Sequence, residues 1–192
     1  MTLRDLPNLI SILRILLVAP VAIMLMDRDY LMALILFLVA GISDGIDGYL
    51  ARRLNCRTRL GAFLDPFADK LLMLVCYLSL GWLGELPIWL VGAVIGRDIL
   101  IVAGAAFYHY LVENMEIRPS RLSKLNTVLQ ILLVVVVLMA LAGAPLPALF
   151  VQGMIWAVLA TTVASGVGYL LEWLHLTSAA LRENMEKENR HD

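Results

Sequence analysis

Charge is scarce in this 192-residue chain: Asp, Glu, Lys and Arg together make up 16% of it, against about 25% in soluble domains. With 61% of residues hydrophobic and a mean hydropathy of +0.84, that shortage excludes an ordinary water-soluble globule. Cysteine is scarcer still. Cys56 and Cys76 are the two present, one in a polar loop and one inside an apolar run, which excludes a disulfide framework. No internal repeat or low-complexity segment occurs. No hydrophobic segment near the N-terminus ends in a small-residue cleavage site, and the first apolar run is long enough to be retained. The formal net charge of −1 implies no partner by itself, and nothing in it suggests nucleic acid.

What is present is a series of apolar runs of the length needed to cross a hydrocarbon core about 30 Å thick. Six spans are expected: Asn8 to Met26, Tyr30 to about Asp44, Phe63 to Leu83, Pro87 to Tyr110, Leu125 to Ala142 and Ala148 to Leu171. The fold class is therefore all-α, a polytopic membrane protein of six transmembrane helices. Residues 1–176 are expected to form the membrane domain and 177–192 a charged helical tail, solvated and cytoplasmic. One set of loops carries Arg4, then Arg52, Arg53, Arg57 and Arg59, then Arg118, Arg121 and Lys124, then Arg182, Lys187 and Arg190, while the opposite set carries Arg28 alone. Because Lys and Arg stay inside, both termini and the two basic loops are assigned to the cytoplasm.

Ionisable residues in or at the rim of a span cost about 2.5 to 3.5 kcal/mol each on insertion scales, so each asks for an explanation. Asp44, Asp47, Asp65 and Asp69 gather at the cytoplasmic ends of the second and third spans. On helices, residues three or four apart share a face, so two antiparallel helices joined by a short loop would bring both pairs together. Four carboxylates at close quarters in a low-dielectric rim cannot all stay ionised without cations. Oxygen ligands without His or Cys favour Mg²⁺, Mn²⁺ or Ca²⁺ over zinc. Two such ions would suit a displacement at phosphorus. Gly45, Gly48 and Ala51 leave the backbone bare for a bulky polar group or a neighbouring helix, and Arg52 can fork onto a phosphate. The plain alternative, helix ends with solvated acids, fits any single Asp better than it fits the set.

The order Asp44-x-x-Asp47-Gly48-x-x-Ala51-Arg52, followed by Gly61-x-x-x-Asp65-x-x-x-Asp69, resembles the signature of the CDP-alcohol phosphatidyltransferases without a departure. The resemblance runs from Pro7-Asn8 in the first span to Ser123-Lys124-Leu125-Asn126-Thr127 in the fifth. It implies transfer of a phosphatidyl group from CDP-diacylglycerol to an alcohol with release of CMP. It also implies residue roles. Asp44 and Asp65 would bridge two divalent cations, Mg²⁺ or Mn²⁺ with Ca²⁺ an inhibitory competitor; Asp47 would complete the first site and Asp69 the second. Asp69 would also be the general base. Gly48, Ala51, Arg52, Thr58 and Gly61 would hold CDP-diacylglycerol together with Asp44, with Pro7 and Asn8 lining the pocket.

A second polar set comprises Arg97 beside Asp98, then Arg118, Arg121, Lys124 and Asn126. A structural ion pair and ordinary inside-positive charge are the plain readings; an anion pocket for the acceptor is the functional one. Family members that use glycerol 3-phosphate usually carry Gly-Lys-x-Lys-Thr where this chain has Ser123-Lys124-Leu125-Asn126-Thr127. The Ser-Lys-x-Asn-Thr form, with Gly96-Arg97-Asp98 and Arg118-Pro119, resembles the CMP-forming cardiolipin synthases. The expected acceptor is thus phosphatidylglycerol, giving cardiolipin, with phosphatidylglycerophosphate synthesis from glycerol 3-phosphate as the alternative. An ion-coupled transporter is disfavoured because the charges lie at the rim and no repeat relates the two halves. His109, His175 and His191 read as interfacial or solvated, and the four tryptophans as an aromatic belt. A homodimer among membrane lipids is implied by the resemblance. The short chain without an Arg/Ser-rich presequence favours a bacterial inner membrane over a mitochondrial one.

Overall fold

A computed structural model of the chain describes the backbone of residues 6–54, 59–111 and 121–188, and the side chains of 12–43, 67–104, 121–171 and 173. Among the described residues six helices account for the regular structure: α1 (Leu6–Met26), α2 (Tyr30–Leu54), α3 (Arg59–Trp82), α4 (Ile88–Leu111), α5 (Arg121–Leu141) and α6 (Ala148–Glu188). The all-helical expectation is met, and each helix covers one expected span. Two of them extend well beyond it. Helix α2 runs past Asp44 to Leu54 and α6 past Leu171 to Glu188, so the acid-rich segments are helical where apolar length alone required no helix.

Two described helical segments, Arg121–Leu141 and Ala148–Leu171, are long and apolar enough to cross a membrane, and Ile12–Met26 and Tyr30–Ser43 are shorter apolar stretches. The helices pack as two compact units, one formed by Met1–Val91 with Ile131–Gly153 and the other by Gly92–Gln130 with Met154–Asp192.

In the first unit α1 packs against both α2 and α3. Val21 and Leu25 of α1, Ala33 and Phe37 of α2, and Leu72, Cys76, Tyr77 and Leu80 of α3 are buried there. Three tight turns close it, all built alike. After α1, Asp29 N–H donates to the Met24 carbonyl and Arg28 N–H to that of Leu25, with Arg28 in the left-handed conformation at φ 59°. After α3, Glu85 N–H reaches Leu80 O and Gly84 N–H reaches Gly81 O; after α5, Ala144 N–H reaches Met139 O and Gly143 N–H reaches Ala140 O. Gly84 and Gly143 sit at φ 80° and 94°, where only glycine avoids a Cβ penalty. These paired bonds satisfy the last carbonyls of each helix. Asp29 then caps α2, its Oδ1 accepting from Met32 N–H at 3.1 Å.

Close helix contact has a test. A Cβ on Gly81 would lie 2.8 Å from Val91 Cγ2, and Val91 is buried and β-branched, so it cannot turn aside. Gly81→Ala is expected to destabilise by about 1 to 3 kcal/mol through overpacking, read as a lowered thermal midpoint in detergent.

The second unit has an unusual interior. Arg97, Ser123, Asn126, Gln130, Thr162 and Ser165 are buried, while Ile99, Val102, Leu122, Val163, Val167 and Leu171 are exposed. Polar groups inside and apolar groups outside invert the arrangement of a water-soluble protein.

Candidate active site

Helix α2 is continuous through positions 44, 47, 48, 51 and 52, and α3 through 61, 65 and 69. Spacings of three and four on unbroken helices put positions 44 and 47 on one face of α2 and 65 and 69 on one face of α3. The side chains of Pro7, Asn8, Asp44, Asp47, Ala51, Arg52 and Asp65 lie outside the described residues, as do Thr58 and Arg118 entirely. Of the four acids Asp69 is therefore the one with a described environment. Among the described residues no group of three or more His, Cys, Asp or Glu gathers in a metal-binding cluster.

Asp69 is tied to a residue that sequence reasoning passed over. Nη1 of Arg14, on α1, donates to Asp69 Oδ1 at 2.7 Å. The Arg14 side chain is 0% exposed and that of Asp69 49%. A buried guanidinium thus reaches out of the α1–α3 contact to a carboxylate that still faces the outside. The signal was in the sequence. Arg14 is the lone charge between Asn8 and Met26, and an intramembrane cation calls for a partner. It was overshadowed because loop cations, not span cations, decide orientation. Lys70, next to Asp69, is exposed.

The second polar set divides into buried and exposed members. Arg97 on α4 is buried; its Nη1 pairs with Asp98 Oδ1 at 2.7 Å, its Nη2 donates to Ser123 Oγ on α5, and Nε and Nη2 both point at Ser165 Oγ on α6, at 3.3 and 3.1 Å. The ion pair with the neighbouring residue is therefore real, and it is one arm of a three-helix clamp. Asn126 is 0% exposed, and its Oδ1 accepts from the hydroxyls of Thr161 and Thr162 at 2.8 and 3.0 Å. Arg121 and Lys124 are exposed at the start of α5. Ser123, Thr161, Thr162 and Ser165 were missed as partners. Small hydroxylated residues in an apolar helix are the usual polar links between neighbours, and Thr161-Thr162-Val-Ala-Ser165 carries that signature.

A donor set of aspartates alone, one of them half exposed and already oriented by a cation, fits hard divalent ions. Without His or Cys it favours such ions over zinc.

The family model of the CDP-alcohol phosphatidyltransferases matches residues 4–165. The chain belongs to that family. Among its relatives, the human protein named cardiolipin synthase (CMP-forming) is 31% identical over 180 residues, covering 85% of this chain and 60% of its own length. A Schizosaccharomyces pombe fusion of cardiolipin synthase (CMP-forming) with a mitochondrial hydrolase is 34% identical, over 86% of this chain and 30% of its own. The chain thus spans between about a third and three fifths of the length of these two relatives. The CDP-diacylglycerol–glycerol-3-phosphate 3-phosphatidyltransferase of Rickettsia typhi is 32% identical over 87% of this chain and 96% of its own length. The matched residues include the acids on α2 and α3. The Arg14–Asp69 and Arg97 contacts are to be understood from their own chemistry.

Proposed function

We propose that this chain is a membrane-embedded phosphatidyltransferase that moves the phosphatidyl group of CDP-diacylglycerol onto phosphatidylglycerol, releasing CMP and forming cardiolipin. The observation that carries the reading is the eight-residue signature from Asp44 to Asp69 within a matched family domain. Six spans are proposed, one per helix, supported by the exposed apolar and buried polar residues. The basic loops lie on the cytoplasmic face, in the inner membrane of a bacterium, and a second copy of the chain completes a homodimer.

The reaction joins the acceptor oxygen to the diacylglycerol-bearing phosphorus and breaks that phosphorus–oxygen bond to CMP. Asp44, Asp47, Asp65 and Asp69 hold two divalent cations, Mg²⁺ or Mn²⁺, which when bound supply charge neutralisation at the pyrophosphate. Arg52 adds a fixed cation where negative charge builds on departing CMP. Gly48, Ala51 and Gly61 let the nucleotide approach the helices, with Pro7, Asn8 and Thr58 around it. Asp69 takes the proton of the attacking hydroxyl. Its contribution comes mainly from placement.

On the acceptor side, Arg121 and Lys124, exposed at the head of α5, and Arg118 meet the acceptor phosphate. Arg97 and Asn126 shape that pocket from beneath, through Ser123, Ser165 and the two threonines. A phosphodiester carries a single charge, and Asn126 in place of a second Lys suits it. A second reading, glycerol 3-phosphate as acceptor, draws on the Rickettsia typhi relative, whose whole length the chain nearly matches.

The test is direct. Purified protein with CDP-diacylglycerol and Mn²⁺ or Mg²⁺ is offered phosphatidylglycerol, glycerol 3-phosphate, serine and inositol in turn, following CMP and the lipid product. Cardiolipin made from phosphatidylglycerol alone is the expected result. Phosphatidylglycerophosphate made from glycerol 3-phosphate would establish the second reading, and no CMP with any acceptor would sink both.

A further inference from the structure

Arg14 is among the largest fully buried side chains of the described residues, and burying a guanidinium costs several kcal/mol unless it is paired. An apolar residue would pack between α1 and α3 at no such cost. Arg14 pairs with Asp69, at 2.7 Å. That carboxylate stays 49% exposed, so Arg14 grips it from the protein side and leaves its other side turned outward. A carboxylate has about four lone-pair sites on two oxygens, so one bond from Arg14 does not prevent ligation. Resting on the proposed two-cation reading, we infer that Arg14 is a positioning residue: it fixes the carboxylate of Asp69 in the orientation that receives the second divalent cation and the acceptor proton. Side chains that hold a ligating carboxylate in place typically contribute 10- to 100-fold in metal affinity or activity.

A counter-charge and a positioning residue shift cation affinity in opposite directions. If Arg14 served only as a counter-charge, its removal would leave the carboxylate cluster more negative, and divalent cations would bind more tightly. If it positions Asp69, removal frees the carboxylate to rotate and cations bind more weakly.

Mn²⁺ binding to the substrate-free protein in detergent, followed by electron paramagnetic resonance, reads this without turnover. Arg14→Met is expected to weaken Mn²⁺ binding at the weaker site about 10-fold and to lower kcat by 10- to 100-fold, with KM for CDP-diacylglycerol little changed. Arg14→Lys, which keeps one N–H and the charge, should recover part of both. In the Asp69→Asn background Arg14→Met should change Mn²⁺ affinity no further, because the effect passes through Asp69. If Arg14→Met does not fold, Arg14→Gln, which keeps a donor without the charge, is read in its place and should fall between Lys and Met.

Tighter Mn²⁺ binding in Arg14→Met would overturn the inference in favour of a counter-charge. Unchanged Mn²⁺ affinity in a folded but heat-sensitive variant would reduce Arg14 to a packing residue. The two-cation reading fails separately, if the wild-type chain binds no Mn²⁺ or if Asp69→Asn binds it as well as wild type does.

Discussion

Replacing Asp69 by Asn is expected to lower CMP release by between 100- and 10,000-fold, the range that a positioned general base contributes, without unfolding the protein. The carboxamide is close to the carboxylate in shape and keeps an oxygen that can accept from Arg14 Nη1, so the buried guanidinium retains a hydrogen bond. It loses the charge of its partner. Because Asp69 is half exposed, that loss is softened by solvent, and a stability change of about 1 kcal/mol is expected instead of the 3 to 5 kcal/mol of a fully buried pair. Two measurements on one preparation check this: CMP release with phosphatidylglycerol, and the thermal midpoint in detergent. Turnover within a few-fold of wild type would remove Asp69 as the base. Lost turnover accompanied by a collapse in the midpoint would mean that the Arg14–Asp69 pair chiefly holds α1 to α3. Asp69→Glu separates the roles further, since it keeps acidity but moves the oxygens by one methylene. If placement dominates, it should be nearly as inactive as Asn.

The helices were legible because apolar length is a bulk property. Each expected span lies under one helix. The end of α2 was less legible. Helical structure continues there into residues too polar to be read as span, held by backbone hydrogen bonding that hydropathy does not register. Residue spacing pointed to the acid positions and to the family. Arg14 and the Ser–Thr partners of Arg97 and Asn126 escaped for a different reason. Their meaning is relational: a buried cation becomes informative once its acid, 55 positions away, is known to sit beside it, and a serine in a helix once an arginine leans on it. The acceptor set shows the same limit. In the sequence Arg97, Arg121, Lys124 and Asn126 are four polar positions of one kind. In the structure two are buried clamps and two are exposed cations, and only burial separates those roles.

Arg97 carries the second large effect. Its guanidinium touches α4, α5 and α6 together, through Asp98, Ser123 and Ser165. Methionine has similar length and no charge. Arg97→Met leaves Ser123 and Ser165 able to turn back onto carbonyls of their own helices, so their loss is small. The larger loss is the charge-assisted bonding itself and the part-buried Asp98 left behind. About 3 kcal/mol is expected, at the lower end for a broken buried pair because the Asp98 side chain is 23% exposed. For a chain of this size that is roughly a 10 °C fall in the thermal midpoint. Arg97→Lys should restore the bond to Asp98 but cannot span two serines with one ammonium, so it should recover less than half of the loss. Ser165→Ala should cost about 1 kcal/mol. The same preparations, assayed for phosphatidylglycerol, decide whether the clamp also serves specificity. A lowered midpoint with unchanged KM for the acceptor would make Arg97 purely a brace. A raised KM at unchanged midpoint would put its charge in contact with the acceptor phosphate. The burial of the side chain favours an intermediate outcome, a lowered midpoint with KM raised a few-fold, because loosening Ser123 shifts the neighbouring Lys124 and Arg121, the cations proposed to meet the acceptor phosphate.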